Sequence, residues 1–166
     1  TALEKWLEGE DLIPSFGGLG NFYYGQGLYE QAEFWYQQCL EVTHRRLGNE
    51  HPDVATSLNN LALLYESQGR YGEAEPLYLQ ALGLYKRLLG DNHPNVATSL
   101  NNLANLYESE GNYAEAEPLY LQAIELCKRL LGESDPNVAT SLNNLAFLYY
   151  SQGRYTEAEP LYLEAL

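Results

Sequence analysis

Side chains able to ligate a metal, move a proton or attack a substrate are few in this chain, and most sit at places that recur at a constant interval. The three histidines are His44, His51 and His93; the last two stand directly before Pro52 and Pro94, and Asp135 takes the same place before Pro136. A residue there can accept from the first free N–H groups of a helix, so helix capping accounts for these positions better than metal ligation. Glu73 and Glu75, with their copies further on, are paired carboxylates, but they open a helix, where the positive end of the dipole favours negative charge. Ser57, Ser99 and Ser141 have no histidine near them, so no nucleophile–base pair is visible. Gly18-Leu19-Gly20-Asn21-Phe22-Tyr23 begins like a dinucleotide-binding loop, yet no strand precedes it and no lysine is near. The sequence therefore predicts a chain that is not an enzyme, with no catalytic residue, no metal ligand and no cofactor.

Asparagine offers a different chemistry. Its side chain carries one acceptor and two donors, and Asn60, Asn102 and Asn144 recur in step. Such a ladder can pair with the C=O and N–H groups of an extended peptide whatever its side chains. It can equally bond to the adjacent repeat and hold the stacking register, because a polar group at a helix–helix seam must be satisfied. Both roles stay open for these residues, while their neighbours Asn59, Asn101 and Asn143, on the flank, fit the structural role better.

These groups are held by elements legible from periodicity. Residues 52–93 return as 94–135 with 31 of 42 positions unchanged and start a third time at Pro136. A fixed period of this length predicts a stacked solenoid, whose units contact mainly their neighbours and build an extended surface rather than a closed pocket. Within one unit Leu58, Leu61, Ala62 and Tyr65 fall at i, i+3, i+4, i+7, and Ala74, Leu77, Tyr78 and Ala81 repeat that spacing. Each unit is thus two amphipathic helices. The first opens at Pro52 and ends at Gly69; the second opens near Gly72, carries Pro76 in its first turn and stops at Gly90. The expected pairs are 52–68/72–89, 94–110/114–131 and 136–152/156–166, with no strand. Ala62 and Ala81 mark close approach, while Tyr65, Tyr71 and Tyr78 supply large apolar bodies with hydroxyl tips.

Opposite the core stripe of each first helix runs a second stripe, expected to line a groove. It reads Thr56, Asn60, Leu63, Ser67, then Thr98, Asn102, Asn105, Ser109, then Thr140, Asn144, Phe147, Ser151. The earliest unit offers Pro14, Gly18, Asn21 and Gly25 instead. Between Val54 and Ser67 the units differ at two places only: Leu63/Asn105/Phe147 on the stripe, and Glu66/Glu108/Tyr150 beside it. A common scaffold presenting a varied surface produces that pattern, and so does drift at positions that packing leaves free. On the binding reading the asparagines supply affinity, and Leu63, Asn105, Phe147 and Tyr150 supply preference among protein or peptide partners.

The run Leu58, Leu61-Ala62, Tyr65, Gly69-x-Tyr71, Ala74, Tyr78 and Ala81 resembles the tetratricopeptide repeat. The 42-residue period and the phrases LNNLA and YxEAEPLYxxAL are similar to the subgroup found in kinesin light chains and many bacterial regulatory proteins. Covering residues 10–166, the resemblance implies an all-α fold, a right-handed superhelix of antiparallel helix pairs that binds peptides or proteins on its concave side. The near-identical units and the opening EKWLEGEDLIPSFGGLG also look like the C-terminal sensor arrays of bacterial signal-transduction NTPases of cyanobacterial type, which implies a sensor or adaptor part of a larger protein. No P-loop lies within these residues.

The expected layout is one solenoid: a helical cap over 1–9, a degenerate unit over 10–51, full units over 52–93 and 94–135, and a truncated unit over 136–166. In the degenerate unit Pro14, Gly17, Gly18 and Gly20 replace helix formers, at about 1 kcal/mol for each glycine. Phe16, Leu19 and Tyr23 keep the core stripe, so a shortened or kinked helix is expected rather than a loop. The chain stops within a second helix, which suggests a fragment whose open end packs on a missing unit or another copy. Self-assembly through that end is the rival function.

Formal charge is −14, from 23 acidic and 9 basic residues, and opposes binding to nucleic acid or an anionic membrane. The pairs Arg45-Arg46, Lys86-Arg87 and Lys128-Arg129 lie near Gly48, Gly90 and Gly132, where cations favour a helix C-terminus by about 0.3–1 kcal/mol. Apolar runs fall well short of the roughly 20 residues a membrane helix needs, and the first ten residues resemble neither a secretory signal nor a transit peptide. A cytoplasmic location is expected, with Cys39 and Cys127, two repeats apart, as reduced core residues.

Overall fold

Proline and glycine set the helix limits throughout. The structure, a computed structural model, describes residues 12–166 and places eight α-helices and no strand among them. They are α1 (Leu12–Gly25), α2 (Tyr29–Leu47), α3 (Pro52–Ser67), α4 (Tyr71–Leu89), α5 (Pro94–Ser109), α6 (Tyr113–Leu131), α7 (Pro136–Ser151) and α8 (Tyr155–Glu164). The cap expected over residues 1–9 lies outside the described residues.

Helices α3, α5 and α7 each begin at a proline, whose absent N–H has no partner in a first turn. The preceding residue caps the helix. His51 Nδ1 accepts from the Asp53 N–H at 3.1 Å, His93 Nδ1 from the Asn95 N–H at 3.1 Å, and Asp135 Oδ1 from the Asn137 N–H at 2.8 Å. Two histidines and an aspartate therefore do the same capping, as their positions suggested. The hairpin turns pass through glycines such as Gly69, at φ 72°, a conformation that strains other residues. The expectation for Pro76 needs correction: α4 begins at Tyr71, so Pro76 is its sixth residue, beyond the first turn. The N–H it lacks would have served the carbonyl of Gly72, an exposed residue that water can reach.

The chain divides into two compact units, up to Ala81 and from Leu82 on, with the division inside α4. In the first, α1 packs on α2 and α2 on α3; in the second, α5 packs on α6, α6 on α7 and α7 on α8, and α5 also touches α7. Because α6 covers one side of α7 and α8 another, α7 buries a wide face: Val138, Ser141, Leu142, Leu145, Ala146, Leu148 and Tyr149. In the first unit the expected core residues Leu58, Leu61, Ala62, Tyr65, Ala74, Tyr78 and Ala81 are buried, whereas Leu77, expected on the same stripe, is only half-buried. Cys39 and Cys127 are buried free thiols, and burial pushes the Cys127 thiol up from its ordinary range.

Helix α1 departs from the expected stripe. Leu12, Phe16 and Gly20 are buried, whereas Leu19 and Tyr23 are half-buried. Gly20 holds the place of Ala62, and the ring of Tyr36 lies against it so closely that a Cβ there would come within 2.4 Å of ring carbons. The helix survives at 14 residues against 16 for α3, clamped by Phe16 and Leu12 on Cys39 and Val42, with Ile13 and Trp35 alongside. The Gly18-Leu19-Gly20 run is thus mid-helix packing rather than a phosphate loop.

Candidate functional site

The first helix of each pair (α1, α3, α5 and α7, the A-type helices) buries one face and leaves part of the opposite one exposed. On α7, Thr140, Phe147, Tyr150 and Ser151 are exposed, with Phe147 and Tyr150 each 55% accessible. The two aromatics stand three residues apart on one helix face, and the Tyr150 ring meets that of Tyr155 from α8 at 5.3 Å. On α5, Thr98 and Ser109 are exposed while Asn102 and Asn105 are half-buried. Half-buried Asn144 joins the two helices: its Nδ2 donates to Asn105 Oδ1 at 3.1 Å and to Asn101 Oδ1 at 3.4 Å. The Nδ2 of Asn144 is thus engaged with the preceding repeat, which is the register-holding role.

In the first unit, Thr56, Leu63 and Ser67 of α3 are exposed and Asn60 is half-buried. The Ser67 hydroxyl donates to the Leu63 carbonyl at 2.9 Å and lies 2.8 Å from the hydroxyl of Tyr24. Hydroxyls of Thr56, Thr98 and Thr140 donate back to the carbonyls of Pro52, Pro94 and Pro136 at 3.3, 3.3 and 2.9 Å, which satisfies them within their helices.

The second variable position is not simply groove decoration. Tyr78 donates to Glu66 Oε2 at 2.8 Å and Tyr120 lies 2.6 Å from Glu108 Oε2, so the carboxylate serves a buried tyrosine of the partner helix. Burial, with the Glu66 charge adding, pushes the Tyr78 hydroxyl far above its ordinary range. Glu108 is raised as well, chiefly by burial, and its Oε1 is buried with no hydrogen-bond partner. In the last repeat Tyr150 replaces that carboxylate; Tyr162, the counterpart of Tyr78 and Tyr120, is 36% exposed where they are fully buried. The constant spacing of 12 residues between carboxylate and tyrosine was the available signal.

Sequence reasoning also missed a clasp between successive helix pairs. Glu33 accepts from Tyr65 at 3.0 Å and from Arg70 at 2.7 Å, and Arg70 grips Glu73 with two bonds of 2.8 Å. Glu117 accepts from Tyr149 and Arg154 at 2.8 Å each, and Arg154 grips Glu157 in turn at 2.8 and 2.7 Å. Each guanidinium also lies over its tyrosine ring, at 4.0 and 3.9 Å from the centroid. Hydrogen bonds from the arginines hold Glu73, Glu117 and Glu157 below the usual carboxylate range. Helix-dipole compensation was therefore half of the account of Glu73. Asn112 stands where Arg70 and Arg154 do, and donates to Glu110 at 2.9 Å instead.

Among the described residues, no group of three or more His, Cys, Asp or Glu is placed to hold a metal ion, and no helix is long and apolar enough to cross a membrane. A family model of the tetratricopeptide repeat matches residues 11–87, 65–128 and 96–166. Among similar solved structures, BtubC (BKLC) from P. vanneervenii shares 27% identity at a TM-score of 0.81, over 95% of this chain and 64% of that one. This chain thus spans less than two thirds of that protein's length. A kinesin-light-chain protein of Podosopora anserina with nearly identical TPR-like repeats, in a form carrying one substitution, shares 27% identity at a TM-score of 0.80, over 92% of this chain and 72% of that one. No curated protein matches the sequence significantly.

Proposed function

The chain belongs to the tetratricopeptide repeat family, in its kinesin-light-chain-like subgroup, and from that premise we propose that it binds an extended peptide segment of a protein partner on the exposed face of its A-type helices. The repeat scaffold is that of a protein-interaction module, and this fold generally serves without catalysis. In the second unit the contact surface is Thr98, Asn102, Asn105, Ser109, Thr140, Asn144, Phe147, Tyr150 and Ser151; in the first, Thr56, Asn60, Leu63 and Ser67 offer related chemistry. One observation carries the reading: Phe147 and Tyr150 are both more than half exposed and stand one helical turn apart. Large aromatics so placed are the residues that anchor partners. The partner carries little negative charge, given the formal charge of −14, and nucleic acid and anionic membranes are disfavoured for the same reason. Two buried reduced thiols suit the cytoplasm, where the module acts as the sensor or adaptor part of a larger protein. Display of random linear peptides tests the proposal: binders should be selected by the intact chain and lost with Phe147→Ala plus Tyr150→Ala. Binders that persist in the double variant but fail when Glu73 and Glu115 are changed would move the site to the outer helices.

A second reading, self-association, is favoured by one feature. An apolar hollow of about 400 Å³ is lined by Tyr150, Tyr155, Ala158, Glu159, Tyr162 and Leu163, with Leu163 64% exposed. Mass measured over a concentration series, with Leu163→Asp as the control, separates assembly from peptide binding.

A further inference from the structure

The hydroxyl of Tyr120 has one proton and two close acceptors, Asn105 Oδ1 at 2.5 Å and Glu108 Oε2 at 2.6 Å. A phenol can donate to one of them only, so the other contact needs a second hydrogen, from the carboxyl of Glu108 or from a turned Asn105 amide; the buried Glu108 Oε1, which has no hydrogen-bond partner, favours the carboxyl. With a proton on Glu108 the bonds run in one direction: the carboxylic acid donates to the Tyr120 oxygen 2.6 Å away, Tyr120 donates to Asn105 Oδ1, and Asn144 Nδ2 donates to the same oxygen at 3.1 Å. Resting on the peptide-binding reading above, we infer that Glu108 is a proton-linked selector of this surface, which sets through Tyr120 and Asn105 whether the Asn144 amide turns its acceptor or its donors towards a bound peptide backbone.

Two further observations agree. Glu108 Oε1 is buried without a hydrogen-bond partner, which costs far less for the carbonyl of a neutral acid than for a carboxylate. Burial raises the affinity of Glu108 for its proton and outweighs the opposing hydrogen bond with Tyr120. Of the second-unit helices packed on α5, α6 brings the titratable Tyr120 and α7 brings the uncharged Asn144, reached through Asn105. The preceding repeat is a natural control. There Tyr78 donates to Glu66 at 2.8 Å, but Leu63 replaces Asn105 and its hydrocarbon side chain cannot pass a hydrogen bond onward.

When Glu108 loses its proton to water, Tyr120 must donate to the carboxylate. Asn105 then turns its Nδ2 to the phenol oxygen, and Asn144 turns its Oδ1 inward to meet the second Nδ2 hydrogen, giving up its long 3.4 Å bond to Asn101 Oδ1, whose own amide turns with it. The surface of Asn144 changes from acceptor to donor, so a peptide held through its backbone N–H is favoured at low pH and one held through its C=O at high pH.

The test is a titration of the isotopically labelled free chain by NMR, following the Glu108 carboxyl carbon and the side-chain amides of Asn105 and Asn144. All three should move together, with one midpoint above the ordinary glutamate value of about 4.3. Glu108→Gln should abolish the step in both amides, Asn105→Leu should uncouple Asn144 and lower the Glu108 midpoint, and Glu66→Gln should change nothing. A Glu108 midpoint at or below the ordinary value, or amides that stay still through it, overturns the inference. With a peptide chosen in the display experiment, affinity should change by about tenfold across the midpoint and stay flat in Glu108→Gln, each tenfold being about 1.4 kcal/mol. A flat wild-type profile overturns the selector role. Failure to select any peptide sinks the peptide-binding reading instead, while the titration, made without ligand, still decides the proton link.

Discussion

The repeats over 52–93 and 94–135 share a frame and diverge in what that frame is made to do. In both, an alanine of 0% exposure, Ala62 or Ala104, lets the two helices meet, and a fully buried tyrosine reaches a glutamate across the hairpin. In the first the neighbouring variable position is Leu63, whose hydrocarbon side chain offers the tyrosine no acceptor; in the second it is Asn105, a further acceptor for the same hydroxyl. A single exchange thus converts a tyrosine–carboxylate pair into a network that reaches the next repeat. The final repeat goes further. Tyr150 and Phe147 replace both polar groups, and the tyrosine counterpart Tyr162 is partly exposed. The apolar packing residues thus stay constant between repeats while two positions at the edge of that packing change the polar contacts made there.

Four measurements test how far the repeats share a frame and where they part. The largest effect is expected from Ala62→Leu or Ala104→Leu, each of which overpacks a closed contact and should cost about 1–3 kcal/mol in thermal or denaturant unfolding. The two should agree, since the frames are the same; Gly20→Ala should cost a similar amount by driving a methyl into the Tyr36 ring. A melting temperature unchanged in both leucine variants would show that the repeats do not share this contact. Next, Phe147→Ala with Tyr150→Ala should weaken a selected peptide by about 2 kcal/mol while leaving the fold intact, whereas Leu63→Ala should weaken it less.

A smaller effect separates the clasps. Glu117→Gln should lower the melting temperature by less than the core substitutions, and by an amount that shrinks in salt, because the Arg154 pair is partly exposed. The smallest effect is in the pH profile, where two glutamates of the second unit act with opposite signs. Glu117 is held low by Arg154, so its contribution is present above the ordinary glutamate value of about 4.3 and lost as pH falls through its lower folded value. Glu108 is raised by burial, so its contribution is full below that value and lost as pH rises through its folded one. Glu108→Gln should therefore stabilise the chain at neutral pH and lose that advantage near pH 4, roughly the ordinary carboxylate range, while Glu117→Gln should behave in the reverse way. Parallel profiles for the two variants would show that their environments do not differ.

Much of the fold was legible because its determinants are local. Pro52, Pro94 and Pro136 start helices, His51, His93 and Asp135 cap them, and the left-handed glycines end hairpins, all through contacts within a few residues. The exposure of Phe147, on the stripe opposite the core, followed from helical periodicity. Other features were hidden. The Gly20 contact was mistaken for propensity loss, since only the docked Tyr36 ring shows what the missing Cβ is for. Glu66 and Glu108 looked like surface variation because their tyrosine partners lie 12 residues on, across a turn.

By itself, the sequence determined that this chain is an all-helical array of hairpins with a constant period, which faces of α3, α5 and α7 are apolar, and which positions vary between repeats. Those properties depend on backbone dihedrals, capping and a 3.6-residue period, which act over one or two turns. Tertiary structure alone decided which polar groups meet. The Arg70–Glu33 and Arg154–Glu117 pairs join residues 37 apart, and Asn144 bonds to Asn105 at a separation of 39. A hydrogen bond needs its partners within about 3.2 Å and in line, and that geometry exists only once successive helix pairs have stacked.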